Sequence, residues 1–320
     1  MKLFFLSIFA IPFICVAQTS APKIIDINQA AFKIFQVGEK PDFMATDADD
    51  AWVVDDHQNR ILKISLTNKT TLLKIPVPEA CTAPVVGFGA VWVMSCTENT
   101  LYRIDHNSGK ILAKIPTGIA DKNGEMSLAV GDGSVWLLSD SSGILTRVNP
   151  ENNTVQKKIT VKPFSYCAAF GYNAVWITNY RNNSVQKIDP KTNSVIATIP
   201  VGSKPRFLTA GEQGVWTLNQ GDGTVSRINP ASNKLNATIN VKAVGGGGDI
   251  CAGGGKVWIV STNTERPVQT INPLSNTIET IYSEPCTNAK ICKVDGAVRI
   301  SDHYIWISGY HSKTVWVLKK

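Results

Sequence analysis

Ala174-Val175-Trp176-Ile177-Thr178-Asn179, Ser184-Val185-Gln186-Lys187-Ile188-Asp189 and Ser194-Val195-Ile196-Ala197-Thr198-Ile199 are three short alternating runs separated by clusters of Asn, Asp, Pro and Lys. Period-two alternation bounded by turn residues reads as strands. After Val201-Gly202-Ser203-Lys204-Pro205 the cycle restarts with Arg206–Gly211. Trp176 is the middle of an apolar triplet, and such a Trp recurs at 52, 92, 136, 176, 216, 258 and 306, in steps of 40, 44, 40, 40, 42 and 48 residues. A repeat of that length, four short strands per unit, is the signature of a β-propeller blade. The expected fold is all-β, a seven-bladed propeller of four-stranded antiparallel blades, with the Trp of each strand b filling the layer between neighbouring blades.

The last unit has only three strands, 297–301, 304–309 and 314–319. Ala31-Phe32-Lys33-Ile34-Phe35-Gln36-Val37-Gly38, followed by Lys40-Pro41, copies the segment that ends another blade at Ala197–Pro205. Pairing 31–37 with 314–319 supplies the missing strand and leaves no open sheet edge.

The repeat occupies 31–320, a single domain, with 18–30 as an N-terminal linker. Met1-Lys2 followed by the apolar run Leu3–Val16, with Cys15 and Ala17 at the −3 and −1 positions, reads as a signal peptide over 1–17 cleaved before Gln18. A lipid anchor on Cys15 needs a small residue before it, where Ile14 stands. The expected location is periplasmic or secreted, with no membrane span and a monomeric state. The formal charge is +7. Lys63, Arg103, Arg147, Lys187 and Arg227 share one slot near the end of strand c, which reads as a solvated strand face; a nucleic-acid footprint would gather on one side instead.

Export leaves six of the seven Cys in an oxidising compartment. Cys81 and Cys96 fall across strands a and b of blade 2, and Cys286 and Cys292 staple the long connection before blade 7; both pairs are expected to be disulfides. Cys167 and Cys251, on the first strands of blades 4 and 6, are expected to be free.

The segments 175–179, 184–190 and 195–202 resemble the repeat of YVTN-type seven-bladed propellers, and the chain is also similar to the virginiamycin B lyase-like group. That resemblance implies the ring over 31–320, and for the lyases a His in a Gly-Pro-His segment, a Glu after Trp-Phe-Thr on strand b, and a divalent cation. Here the residues three after each Trp are Asp55, Ser95, Ser139, Asn179, Asn219, Ser261 and Gly309, and Gly-Pro-His is absent. The lyase residues do not carry over, and no cofactor is expected outside an enzyme reading that would use a divalent cation.

In a four-stranded blade the b–c and d–a connections ring one mouth of the channel, the usual ligand face. Four and five residues after the Trp stand Asp56 and His57, Tyr180 and Arg181, and Tyr310 and His311; ten before it stand Asp42, Tyr166 and Arg206. The opposite face carries generic turns such as Gly131-Asp132-Gly133-Ser134, and Asp47, Asp49 and Asp50 lack a calcium-loop pattern. Tyr166, Tyr180, Arg181, Arg206 and Tyr310 are the candidate ligand-binding residues for a small molecule, glycan or protein. His57 and His311 are the catalytic candidates of the alternative, a metal-assisted lyase or lactonase. Phosphate-loop, nucleophile-elbow and zinc-type spacings do not occur.

Overall fold

The computed structural model describes residues 21–67, 70–121, 125–139, 141–284 and 294–320. The expected signal segment 1–17 and the expected Cys286–Cys292 pair lie outside them.

Seven antiparallel sheets form the ring, each ordered a-b-c-d from the channel outward. Blade 4 shows the unit: Ala168–Gly171, Ala174–Asn179, Ser184–Asp189 and Ser194–Pro200. Blade 7 takes Val298–Ile300, Tyr304–Gly309 and Thr314–Lys319 from the end of the chain and Ala31–Gln36 from its beginning. Ala31 pairs with Leu318 and Gln36 with Thr314, so the ring closes by the expected strand.

The linker expected over 18–30 is structured in its described part. Lys23–Asp26 runs parallel to Thr277–Ser283 as a fifth strand outside blade 6. Ile27–Ala30 then forms one helical turn whose Ile27 is fully buried, and Asn28 Oδ1 accepts a 2.8 Å hydrogen bond from Trp316 Nε1. One Ile in a single helical turn is too short a stretch to carry a periodic signal, so its burial is invisible before the fold is known.

Seven apolar clusters occupy the seven interfaces, each built around one strand-b Trp. Six of these indoles are fully buried and Trp258 is 5% exposed. Opposite each Trp on strand c of blades 1 to 5 lies the repeated cation, as Lys187 pairs with Trp176. The reading of these cations as a solvated face is overturned. Each covers its own Trp ring, at 4.7 Å for Arg147 and 4.9 Å for Lys187, and reaches into the c–d turn of the next blade. Lys63 donates to His106 O (2.8 Å), Arg103 to Pro150 O (2.7 Å), Arg147 to Pro190 O (2.5 Å), Lys187 to Pro230 O (2.8 Å) and Arg227 to Pro273 O (2.5 Å). The Lys63 and Arg147 side chains are only 8% and 17% exposed.

The receiving turn is built for this. In Asn149-Pro150-Glu151-Asn152-Asn153 and its equivalents at 189–193, 229–233 and 272–276, the first side chain accepts the N–H two residues on. Pro presets the next φ, and the last Asn takes a positive φ of 54–58°. That geometry turns the Pro carbonyl and the Asn Oδ1 toward the preceding blade. Arg147 Nη1 also donates to Asn193 Oδ1 at 3.1 Å.

Cys81 and Cys96 are bonded, with Cα atoms 5.8 Å apart across an extension of the a–b ladder where Cys81 N donates to Met94 O. Cys167 and Cys251 are free. Both line the channel, and burial pushes each thiol up to about 11.

Arg147→Ala removes a cation bonded to two acceptors of the next blade and is expected to destabilise the fold by about 2 kcal/mol, read as a lower midpoint in urea unfolding. Deleting 21–38 opens blade 7 and lowers the melting temperature steeply. Deleting 21–30 removes Ile27 and the fifth strand of blade 6 and gives a smaller but measurable drop. Non-reducing peptide mapping should return Cys81–Cys96 as a linked pair, with Cys167 and Cys251 alkylated slowly at pH 8.

Candidate functional site at the channel mouth

Strands a and b are antiparallel, so the start of a and the end of b meet at one end of the blade, as where Pro41 pairs with Asp55 and Pro205 with Asn219. Residues about ten before and four after each Trp therefore gather around the channel mouth.

On the side of blades 7 and 1 the structure brings four of these residues into one chain of contacts. Tyr310 donates its hydroxyl to Asp56 Oδ2 at 2.7 Å, and His57 Nε2 lies 3.1 Å from the same oxygen. The Tyr310 and His311 rings meet edge to face at 5.1 Å, and His311 Nδ1 is 2.6 Å from Asp295 Oδ2. Lys40, from the d–a loop, lies over the Tyr310 ring at 5.2 Å. Burial, then the hydrogen bond to Asp56, raises the Tyr310 hydroxyl well above its usual range.

His57 and His311 do not face one another. His57 borders a cavity of about 520 Å³ that reaches toward Glu79 and Thr97, whereas His311 borders one of about 300 Å³ with Gly246–Gly248 and Thr262. Asp42, Phe43, Asp56 and Glu125 line both cavities.

Across the mouth, Tyr166 and Tyr180 meet at 5.2 Å, Arg206 lies over Tyr166 at 4.7 Å, and Arg206 Nη2 donates to Glu125 Oε2 at 2.7 Å. Lys204 lies over Tyr180 at 5.9 Å. Arg181 stands apart from this group, exposed on the rim with its guanidinium 3.3 Å over the Phe164 ring.

The carboxylates are what sequence reasoning underweighted. Glu125 is paired with Arg206, Asp295 with His311, and the deeper Asp249 with Arg299. Asp42 has neither a hydrogen bond to its carboxyl nor an ion pair among the described residues. Burial, reinforced by the charges of Glu125, Asp56, Asp249 and Asp295, holds its pKa well above the usual carboxylate range. Asp42 and Asp56 stand in the slots counted from the Trp. Glu125 and Asp295 stand one residue earlier, eleven before Trp136 and Trp306, a slot that a search for His, Tyr and Arg passes over.

Among the positions three after each Trp, where the family resemblance puts a catalytic Glu, Asp55 and Asn179 hold loops in place. Asp55 is buried and accepts from Glu39 N (2.8 Å), Lys40 N (3.1 Å) and Arg60 Nε (2.7 Å). The loop passes so close that a Cβ on Gly38, whose φ is +57°, would sit 2.5 Å from Asp55 Oδ1. Asn179 Nδ2 likewise donates to Pro163 O at 2.7 Å. Among the described residues no three His, Cys, Asp or Glu side chains converge as metal ligands, so no chemistry is routed here through the divalent cation that the resemblance implies.

The molecule is thus a seven-bladed β-propeller with a carboxylate-lined mouth. No family model and no curated protein matches the chain. Its fold is similar to that of streptogramin B lyase, with a TM-score of 0.73 and 14% identity over 90% of this chain and 96% of that one. Virginiamycin B lyase from Staphylococcus aureus aligns with a TM-score of 0.72 and 15% identity, over 90% and 99% of the two chains. The hydrazine synthase of Kuenenia stuttgartiensis gives 0.71 and 10%, over 91% and 98%. At such identities the likeness is one of fold.

Asp42 gives a pH signature. Its folded pKa is raised, so the folded state holds a proton that the unfolded state releases first, and stability contributed by that proton is lost as pH rises through the folded pKa. Asp42→Asn should therefore raise the melting temperature at pH 7 and leave it nearly unchanged at pH 4, by differential scanning calorimetry.

Proposed function

We propose that this chain is an exported propeller that binds a small molecule in the mouth of its channel, on the face of the b–c and d–a loops. The observation that carries the reading is the pair of adjoining cavities sharing Asp42, Phe43, Asp56 and Glu125. An unpartnered carboxyl that is only partly exposed works against folding, so its presence is best accounted for by a ligand. Tyr310 borders the smaller cavity, and across the mouth stand Tyr166 and Tyr180, meeting edge to face, with Arg206 over the Tyr166 ring. A concave mouth of this size suits a small molecule better than a protein or an extended glycan, whose partners present flatter surfaces. Export is supported by the apolar segment 3–16 and the Cys81–Cys96 bond; among the described residues no helix is long and apolar enough to cross a membrane.

A second reading, acid–base catalysis in the same mouth, is favoured by the 2.6 Å His311–Asp295 pair bordering the cavity that Asp42 also lines. A carboxyl whose proton is held more tightly than usual, beside a His–Asp pair, offers an acid and a base on two sides of one space. The lyases of similar fold keep this reading open without assigning it residues.

Screening the protein against small-molecule, glycan and peptide panels by thermal shift decides the ligand class. For a ligand so found, Tyr310→Phe and Tyr180→Ala should each weaken binding by about 1–3 kcal/mol with little change in stability. His57→Ala together with His311→Ala should abolish turnover under the catalytic reading and leave affinity within a few-fold under the binding reading. A ligand that maps to the Asp-Gly turn face instead would remove both.

A further inference from the structure

We infer that the mouth selects an organic cation, an ammonium or guanidinium group carried on an apolar body; this deepens the proposed function and rests on it. Asp42, Asp56, Glu125 and Asp295 border the 300 Å³ cavity. The cations facing them are already committed: Arg206 to Glu125 and the Tyr166 face, and Lys40 to the Tyr310 face. The acid cluster alone would say little, because most of its members have partners in the protein. Asp42 is the exception among the described residues, and it opens onto both cavities.

The walls argue for an organic rather than an inorganic cation. Phe43 and Phe207, with ring centroids 6.0 Å apart, and Tyr310 line the same space as the carboxylates. Aromatic faces next to a carboxylate attract an alkylated ammonium through the ring quadrupole while sheltering its apolar part. A bare divalent ion needs six or more oxygen ligands at short range and leaves aromatic walls unused. On the opposite side Gly246–Gly248, with φ of 87° and 98° at Gly247 and Gly248, keep the wall free of side chains and leave room for the body of the ligand. When the cation enters, its charge beside Asp42 removes the reason for that carboxyl to hold its proton, so binding releases a proton to the solvent.

Isothermal titration with four benzyl probes tests this. Benzylamine and benzyltrimethylammonium should bind about tenfold or more tightly than benzyl alcohol or benzoate. Across a pH series their binding should release protons over the range in which the unliganded Asp42 holds one, seen as heats that vary with the ionisation enthalpy of the buffer. Asp42→Asn, which the pH argument expects to fold well, should erase both the preference and the proton release. Equal affinity for benzyl alcohol, a preference for benzoate, or no binding by any probe overturns the inference. So does displacement of benzylamine by magnesium or calcium at micromolar concentration. If benzyl alcohol or benzoate binds and Tyr310→Phe weakens it, the mouth stands as the site and only its selectivity for cations falls. A probe that binds with no response to Asp42→Asn, Tyr310→Phe or Phe43→Ala removes the site as well.

Discussion

A buried indole covered by a cation, and that cation tied to the next blade's turn, is the interaction on which the ring depends. A strand-b Trp stands in the apolar cluster at each interface, but apolar packing is non-directional and leaves neighbouring sheets free to rotate. The hydrogen bonds of Lys63, Arg103, Arg147, Lys187 and Arg227 remove that freedom, since each must meet a carbonyl held at a fixed place by an Asx-capped turn. Burying a charge between an aromatic face and two carbonyls satisfies it on both sides. Burial still lowers the Lys187 pKa, which measures how far the amine has left water.

The device covers five interfaces and stops. Opposite Trp258 stands Thr270, and opposite Trp306 stands Val317. Trp52, Trp258 and Trp306 have no acceptor for the indole N–H among the described residues, whereas Trp92, Trp136, Trp176 and Trp216 each donate to the glycine carbonyl five residues earlier at 3.0 Å. Blades 2 to 5 are thus a regular arc, and blades 6, 7 and 1 an irregular one secured by the N-terminal strand, Ile27 and the Asn28–Trp316 bond. Asp42, Asp56, Asp295, Tyr310 and His311 all sit on the irregular arc. The regular arc acts as a frame against which the other can carry unpaired charge, and Tyr166, Tyr180 and Arg206 project from that frame across the mouth.

The Trp spacing made the blade number, the strand order and the closing strand legible, because each follows from counting along a period. Counting also placed the candidate residues at one mouth of the channel, since slot fixes which end of a strand a residue occupies. It could not say which way a loop side chain turns. Arg181 and Tyr180 are adjacent in sequence, yet one lies on the rim over Phe164 and the other inside against Tyr166. The five strand-c cations were visible as a repeat but not as a clamp, because their partners lie more than forty residues away in the next unit. Asp42 was visible as a residue and not as a site: its meaning comes from what is missing around it.

Every blade also carries a bulge at one place on strand d, where the register skips residue 72, Leu112, Gln156, Ile196, Asn236, Glu279 and, in the spliced blade, Phe32. That the strand from the far end of the chain has the same irregularity means it must be threaded in one register only, because a slip would misplace both bulge and buried face. Gln36 and Thr314 are 278 positions apart, so this pairing has the longest loop to close and the least tolerance for error. During folding blades 1 to 6 can form as local meanders, but the ring stays an open arc until the strand Ala31–Gln36 pairs with Thr314–Lys319. Until that pairing forms, blade 7 presents an unpaired edge, the point at which two unfinished chains could exchange strands.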